Sequence, residues 1–244
     1  MLKKLIPRKL ITLVRFYSIF NGGHGHSRIE NGFCTDGKGR PVPWLTYPCI
    51  EFLDALDFQD CRVFEYGAGA STHYWAAKAK EVRSVEREKD WTERLQGSLP
   101  PNAKVTFCPD ERQYPGEIIA AGGQFDVVVV DGAVRYPCVE ATLDRLTARG
   151  IVILDNLEWY PNCAKLLRDR GFIQIDFSGF PPINAFTSCT SIFYRSPELL
   201  TRRLNAPEWR PVGGRYLVAH DDVPLAAINP ATLRTGSLEP ELGK

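Results

Sequence analysis

The sequence predicts an α/β fold in which a doubly wound, mostly parallel sheet carries helices on both faces. Three observations lead there. Short apolar runs alternate with segments of helical periodicity from residue 47 to residue 194, and parallel neighbours in a sheet need such crossover helices. Phe125–Val130 is apolar at every position but Asp126, as suits a strand buried on both faces. A Gly-rich turn at Gly67-Ala68-Gly69 directly follows a short apolar strand and opens a helix.

The N-terminal stretch Met1–Phe20 is rich in Leu, Ile and Phe and carries Lys3, Lys4, Arg8, Lys9 and Arg15. Arg15 interrupts the apolar run, which then lacks the core of roughly 7–15 residues of a secretory signal and the ~20 residues of a spanning helix. Two readings stay open. One is a basic amphipathic helix making peripheral contact with an anionic membrane; the other is an arm docked on its own domain or a partner subunit. Gly-rich polar stretches at 21–27 and 31–40 read as loop. The chain therefore divides into an arm and loop (1–40), a folded domain (41–196) and a C-terminal extension (197–244).

Within the domain, Ile50, Phe52, Leu53 and Leu56 give Tyr47–Phe58 helical spacing, with Pro48 in its first turn. Strands follow at Arg62–Tyr66, Glu81–Glu86, Ala103–Cys108, Phe125–Val130, Gly150–Leu154, Phe172–Phe177 and Thr190–Tyr194. Helices are expected at Ser71–Lys80, with Ser71 or Thr72 as cap, and at Asp90–Leu99, Gln113–Ala121, Pro137–Thr147 and Asn162–Arg170. Trp209–Val218 reads as a hairpin before a polar tail.

Composition narrows the function. Lys and Arg number 30 against 29 acids, so no polyanionic partner is called for and no nucleic acid is expected. Seven scattered cysteines without a Cys-x-x-Cys pair suit free thiols in a reducing cytoplasm better than disulfides or structural zinc.

Ligands of open α/β sheets bind beyond the carboxyl ends of the strands, where Glu65, Gly67, Ala68, Gly69, Ser71, Thr72 and Glu86 fall. The glycines let backbone approach a ligand closely. Thr72 stands where a dinucleotide loop has its third glycine, and Glu65 would repel a pyrophosphate; the same carboxylate suits a cationic ligand. Glu86 stands 19 residues after Gly67, near the spacing of about 20 at which an acid accepts hydrogen bonds from a ribose diol.

Glu65–Thr72 and Val85-Glu86 together resemble the first motif and the ribose-binding acid of the class I S-adenosylmethionine-dependent methyltransferases, a likeness covering roughly residues 45–195. The resemblance implies a Rossmann-like fold with an antiparallel last strand, and S-adenosyl-L-methionine as cofactor. It implies that Glu65 and Gly67–Gly69 hold the methionine part, that Glu86 holds the ribose, that Ser71 and Thr72 lie beside it, and that Asp110 faces the adenine. Asp131, at the end of the fourth strand, would face the transferred methyl group as the catalytic residue. The acceptor implied is a small molecule or a glycan component methylated on O or N, in a pocket built near Phe180–Ile183.

Asp131, Asp155 and Asn156 also fall where the metal-dependent catechol enzymes bind a divalent cation; Mg²⁺ is the lesser reading, the other being a polar pocket lining. Arg135 reads either as a clamp for an anionic acceptor or as an exposed helix-start residue. His73 reads as structural, and His24 and His26 as part of a loop or lid. Trp91 reads as a core aromatic or as a stack for the adenine. The alternatives to a methyltransferase are an NAD(P)-dependent oxidoreductase and a non-catalytic nucleoside-binding or membrane-associated scaffold.

Overall fold

The computed structural model describes residues 7–203, 211–214 and 224; the hairpin expected at 209–218 lies largely outside the described residues. The described residues up to Val212 belong to one compact unit.

A basic segment opens the unit as helix α1 (Arg8–Tyr17) and runs into a π-helical stretch (Ser18–Gly23). Where loop was expected, the chain makes a small antiparallel pair, β1 (Ile29–Glu30) and β2 (Phe33–Cys34). Its turn is Asn31-Gly32, both at positive φ (50° and 80°), the two-residue turn that matches the twist of paired strands.

The main sheet has seven strands: β3 (Arg62–Tyr66), β4 (Glu81–Glu86), β5 (Ala103–Phe107), β6 (Phe125–Val130), β7 (Leu146–Leu154), β8 (Ile173–Gly179) and β9 (Ser188–Tyr194), in the order β5-β4-β3-β6-β7-β9-β8. β9 alone runs opposite to the other six strands. The chain enters at β3, winds outward to β5 and returns to β6 on the other side of β3. The topological switch, and the crevice it creates, therefore lies between β3 and β6, whose ends pair at Tyr66 and Val130.

Alternation along the strands feeds two cores. Val63, Val127, Val129, Ile151 and Ile153 face α2 (Tyr47–Asp54) and α3 (Ala70–Ala76) through Leu53, Phe58 and the fully buried Trp75. Phe64, Tyr66, Val128, Val130 and Val152 face α5 (Glu117–Ala120), α6 (Arg135–Thr142) and α7 (Pro161–Asp169) on the other side. Both faces of β6 are thus covered, as the apolar run Val127–Val130 requires. All seven cysteines are free.

Several helices stop earlier than their periodicity suggests. The helices expected at 47–58 and 71–80 end at Asp54 and Ala76, though Phe58 and Ala79 beyond them stay buried. The one expected at 137–147 is α6, ending at Thr142, because β7 already begins at Leu146 rather than Gly150. The β6–β7 register shifts between Phe125 and Val127. Asp126 pins that irregularity by accepting hydrogen bonds from the Arg62 amide, the Thr147 hydroxyl and Arg149 Nε at 2.9–3.0 Å.

Candidate active site

Backbone builds the first wall. After β3 the chain turns at Gly67 (φ +92°), where a Cβ would meet the Asp131 carbonyl oxygen at 3.0 Å. Gly67 N donates to Val85 O at 3.0 Å, and Asp131 N to Tyr66 O at 3.0 Å, tying the three strand ends together. Gly69 is extended, and a Cβ there would project toward Trp91 at 3.9 Å, so the space beside it is a cradle that any side chain would fill. Thr72, on the first turn of α3, does not cap in the usual direction: its hydroxyl accepts from Gly69 N at 3.1 Å.

Glu86, at the end of β4, closes the second wall. One carboxylate oxygen accepts from Ala68 N at 3.1 Å, and the other from Arg87 N at 2.7 Å and Glu88 N at 3.0 Å. Trp91, on α4 (Lys89–Gln96), donates from its indole to Ala68 O at 2.7 Å. The β1–β2 hairpin supplies a third side, with Phe33 packed on Trp91 (centroids 5.3 Å apart) and Arg94 over both rings. The result is a cleft of about 510 Å³ lined by Gly67–Ser71, Glu86, Trp91, Asp131, Tyr114 and the hairpin.

A second cleft of about 500 Å³ shares Trp44 and Asp131 with the first and is otherwise lined by Arg135, Asp155, Asn156, Trp159, Pro181, Asn184 and Phe186. Asp131 therefore stands at the junction of the two. Its carboxylate accepts from Arg135 Nη2 at 2.9 Å, and the same nitrogen donates to Asn156 Oδ1 at 3.1 Å. Arg135 Nη1 donates to Asp155 O and Nε to Gly132 O, while the guanidinium lies over the Tyr160 ring at 4.5 Å. The Asp155 carboxylate accepts from Thr190 Oγ1. Burial, followed by the facing Asp155, raises the Asp131 carboxyl above the ordinary carboxylate range against the opposing pull of Arg135; burial raises Asp155 as well.

This network corrects the reading of Arg135 and weighs against the lesser reading of a metal site. Arg135 is neither an exposed helix-start residue nor a free clamp: it is 7% exposed and committed to its own neighbours. Its Nη2 already occupies the Asp131 carboxylate and Asn156 Oδ1, while the Asp155 carboxylate accepts from Thr190 Oγ1, so these residues as arranged do not fit Mg²⁺.

Of the residues singled out from the sequence, Gly67, Ala68, Gly69, Ser71, Glu86 and Asp131 line the first cleft, and so does Trp91. Glu65 and Thr72 do not; both are fully buried behind the loop. One Glu65 oxygen accepts from Ser84 Oγ at 2.7 Å and the other has no partner. Burial pushes the Glu65 carboxyl up to about 7, against the pull of the Ser84, Thr72 and Ser71 hydroxyls. Asp110 is exposed after β5, its carboxylate accepting from Arg112 N at 2.8 Å. His73 meets Ser98, while His24 stacks on Tyr47 and His26 bonds its hydroxyl, so none of the three lines either cleft. Sequence reasoning missed Trp44, Phe33 and Tyr114; only the Asn31-Gly32 turn signalled that the segment around Phe33 was structured.

The sheet order, the single antiparallel strand and the crevice at the switch point are those of the Rossmann-like fold of class I S-adenosylmethionine-dependent methyltransferases. Among solved structures, the chain is similar to a precorrin-6Y C5,15-methyltransferase from Geobacter metallireducens, at 13% identity and TM-score 0.50, covering 70% of this chain and 95% of that one. It is also similar to a precorrin 8w decarboxylase from Methanobacterium thermoautotrophicum (17%, TM-score 0.48, 67% and 96%) and to an rRNA methylase from Streptococcus thermophilus (15%, TM-score 0.44, 61% and 97%). At such identities the likeness concerns the fold. No family model and no curated protein matches the sequence.

Proposed function

We propose that the protein is a methyltransferase that binds S-adenosylmethionine in the first cleft and methylates a small molecule or glycan component, on oxygen or nitrogen, in the second. The observation that carries this reading is the pairing of Glu86 with the Gly67–Gly69 bend across one cleft at the β3/β6 switch. A carboxylate at that strand end suits a ribose diol, and the bare backbone of Gly69 leaves the loop open to a ligand on the cleft side. The cofactor, when bound, supplies a methyl group activated on a sulfonium.

Each residue then has a task. Gly67, Ala68 and Gly69 present bare backbone to the methionine part, Ser71 lies beside it, and Trp91 offers an aromatic face. Glu65 stands behind the loop, where its ionised form adds to a field favourable to a cation, and Thr72 fixes the bend through Gly69 N. Asp110 lies in the loop after β5, outside the lining of the cleft, and takes the adenine side only by the family resemblance. Asp131 reaches both clefts. In-line transfer mainly requires alignment, and a carboxylate of raised proton affinity at the junction is placed to take the proton that leaves the acceptor as its bond to carbon forms.

Calorimetry with S-adenosylhomocysteine tests the reading. The wild-type chain is expected to bind it, and Glu86→Ala to weaken binding by about tenfold to a hundredfold, as loss of a charged hydrogen-bond acceptor implies. Binding of NAD(P) in its place would sink the proposal in favour of an oxidoreductase. Cofactor binding with no transfer to any of a broad panel of acceptors would favour a scaffold.

A further inference from the structure

None of the ten residues of α1 is buried. At 3.6 residues per turn, Leu10, Leu13, Val14 and Tyr17 fall on one stripe with Ile11 and Phe16 beside it, while Arg8, Thr12 and Arg15 share the opposite side. The stripe is wet along its length: Leu13 is 62% exposed, Val14 59% and Tyr17 69%. A contiguous apolar surface of this kind marks a contact site.

The charge around it identifies the occupant. The chain carries Lys3, Lys4, Arg8, Lys9, Arg15 and Arg28 before its first acid, Glu30. A second copy of this chain would bring like charges together. A nucleic acid would use the basic rim and leave the apolar stripe in water. An anionic bilayer takes both, the stripe entering the acyl boundary and the basic residues meeting headgroups. At ten residues α1 is about 15 Å long, half the ~30 Å of a hydrocarbon core, and among the described residues no helix is long and apolar enough to cross a membrane.

We propose that α1 lies in the plane of anionic membranes and holds the protein on their surface. The attachment is joined to the folded unit. Phe20, just after α1, packs edge-on against Tyr47 and Phe180 with centroids 6.2 and 5.6 Å away, and Phe180 precedes the Pro181 that lines the second cleft.

The test is co-sedimentation of the full chain with vesicles of phosphatidylcholine alone and of phosphatidylcholine mixed with phosphatidylglycerol. The protein is expected to pellet with the mixed vesicles only, and to be released by salt. Leu13→Glu combined with Val14→Glu should lower partitioning by about tenfold to a hundredfold, and Arg8→Ser with Lys9→Ser and Arg15→Ser should abolish the preference for anionic lipid. All five side chains are exposed, so unchanged circular dichroism confirms that either variant is folded. Wild-type protein that stays in the supernatant with both vesicles, or that binds equally well after Leu13→Glu/Val14→Glu, overturns the proposal. A light-scattering mass that falls from dimer to monomer in that variant, without vesicle binding, assigns the stripe to a second copy instead.

Discussion

The two clefts meet at Asp131 but are built on opposite principles. The first is made of backbone and left open: a Gly bend, a strand-end carboxylate bonded only to amides, and a ring edge. The second is lined by charges that already satisfy one another, with one guanidinium serving Asp131, Asp155 and Asn156. The first cleft keeps its donors and acceptors on rigid backbone. Burial raises the proton affinity of the two acids in the second cleft, Asp155 raises that of the facing Asp131 further, and the internal cation opposes that rise.

Removing that cation gives the largest expected effect. Arg135→Ala leaves Asp131 and Asp155 facing each other in a partly dry site, and should cost about 3–5 kcal/mol in urea denaturation, as loss of one partner of a buried pair does. Arg135→Lys retains the charge without the planar fork and should cost less. The wild-type melting temperature should be the same with a chelator as with added Mg²⁺. A loss below about 1 kcal/mol for Arg135→Ala, within the range of ordinary surface substitutions, would show that the network is not what steadies the second cleft.

The first cleft breaks differently. Gly69→Leu adds a side chain to an extended residue whose Cβ has room, so stability should change by less than about 1 kcal/mol, while S-adenosylhomocysteine affinity by calorimetry falls about a hundredfold or more. Gly132→Ala is its counterpart. There a Cβ would meet Tyr114 Oη at 2.3 Å and Gly67 N at 2.7 Å, so the cost should appear in stability, at about 1–3 kcal/mol. If the two substitutions behave alike, the space beside Gly69 is not where the ligand lies.

This contrast also decides what the sequence could reveal. Strands β3 to β7 and the Gly bend were legible because apolar runs and glycine positions are local signals. Helix ends were less so: Phe58, Ala79 and Leu146 are buried in the same cores after their helices have stopped, and continue an apolar pattern without continuing the helix. The hairpin around Phe33 was hidden by the polar, Gly-rich composition of its flanks, although Asn31-Gly32 encoded its turn. Arg135 was the hardest to place. Its i,i+4 spacing from Asp131 is visible in the chain, but its contact with Asp155, across a helix and a strand, exists only in three dimensions.

Glu65 sharpens the comparison, because it is a buried acid on the first side with no cation beside it. Its folded pKa of about 7 lies above the ordinary 4.5, so between these values the folded state binds more protons than the unfolded state. Stability must therefore fall as pH rises from about 4.5 to 7, with the full penalty present above that window. Glu65→Gln removes the titration. Relative to wild type it should gain roughly 2–3 kcal/mol on going from pH 4.5 to pH 8, measured by urea denaturation across that range. A wild-type-to-variant difference that does not move with pH would mean that Glu65 is charged at both ends of the window and that the loop, not burial, sets its proton affinity.

The smallest effect is expected at Asp110, where sequence and geometry part. It lies in the loop after β5, outside the lining of the first cleft; its carboxylate is turned back onto Arg112 N, and its carbonyl accepts from Gln113 N and Tyr114 N. Asp110→Ala removes only the first of these bonds at an exposed position, so stability should drop by about 0.5–1 kcal/mol. Tyr114 keeps its own anchor to Val85 O at 3.1 Å, so the cleft wall stays in place and S-adenosylhomocysteine affinity should change by less than about threefold, well under 1 kcal/mol. A loss of tenfold or more in calorimetry would mean that the turn opens when ligand arrives and that Asp110 leaves Arg112 N to meet it.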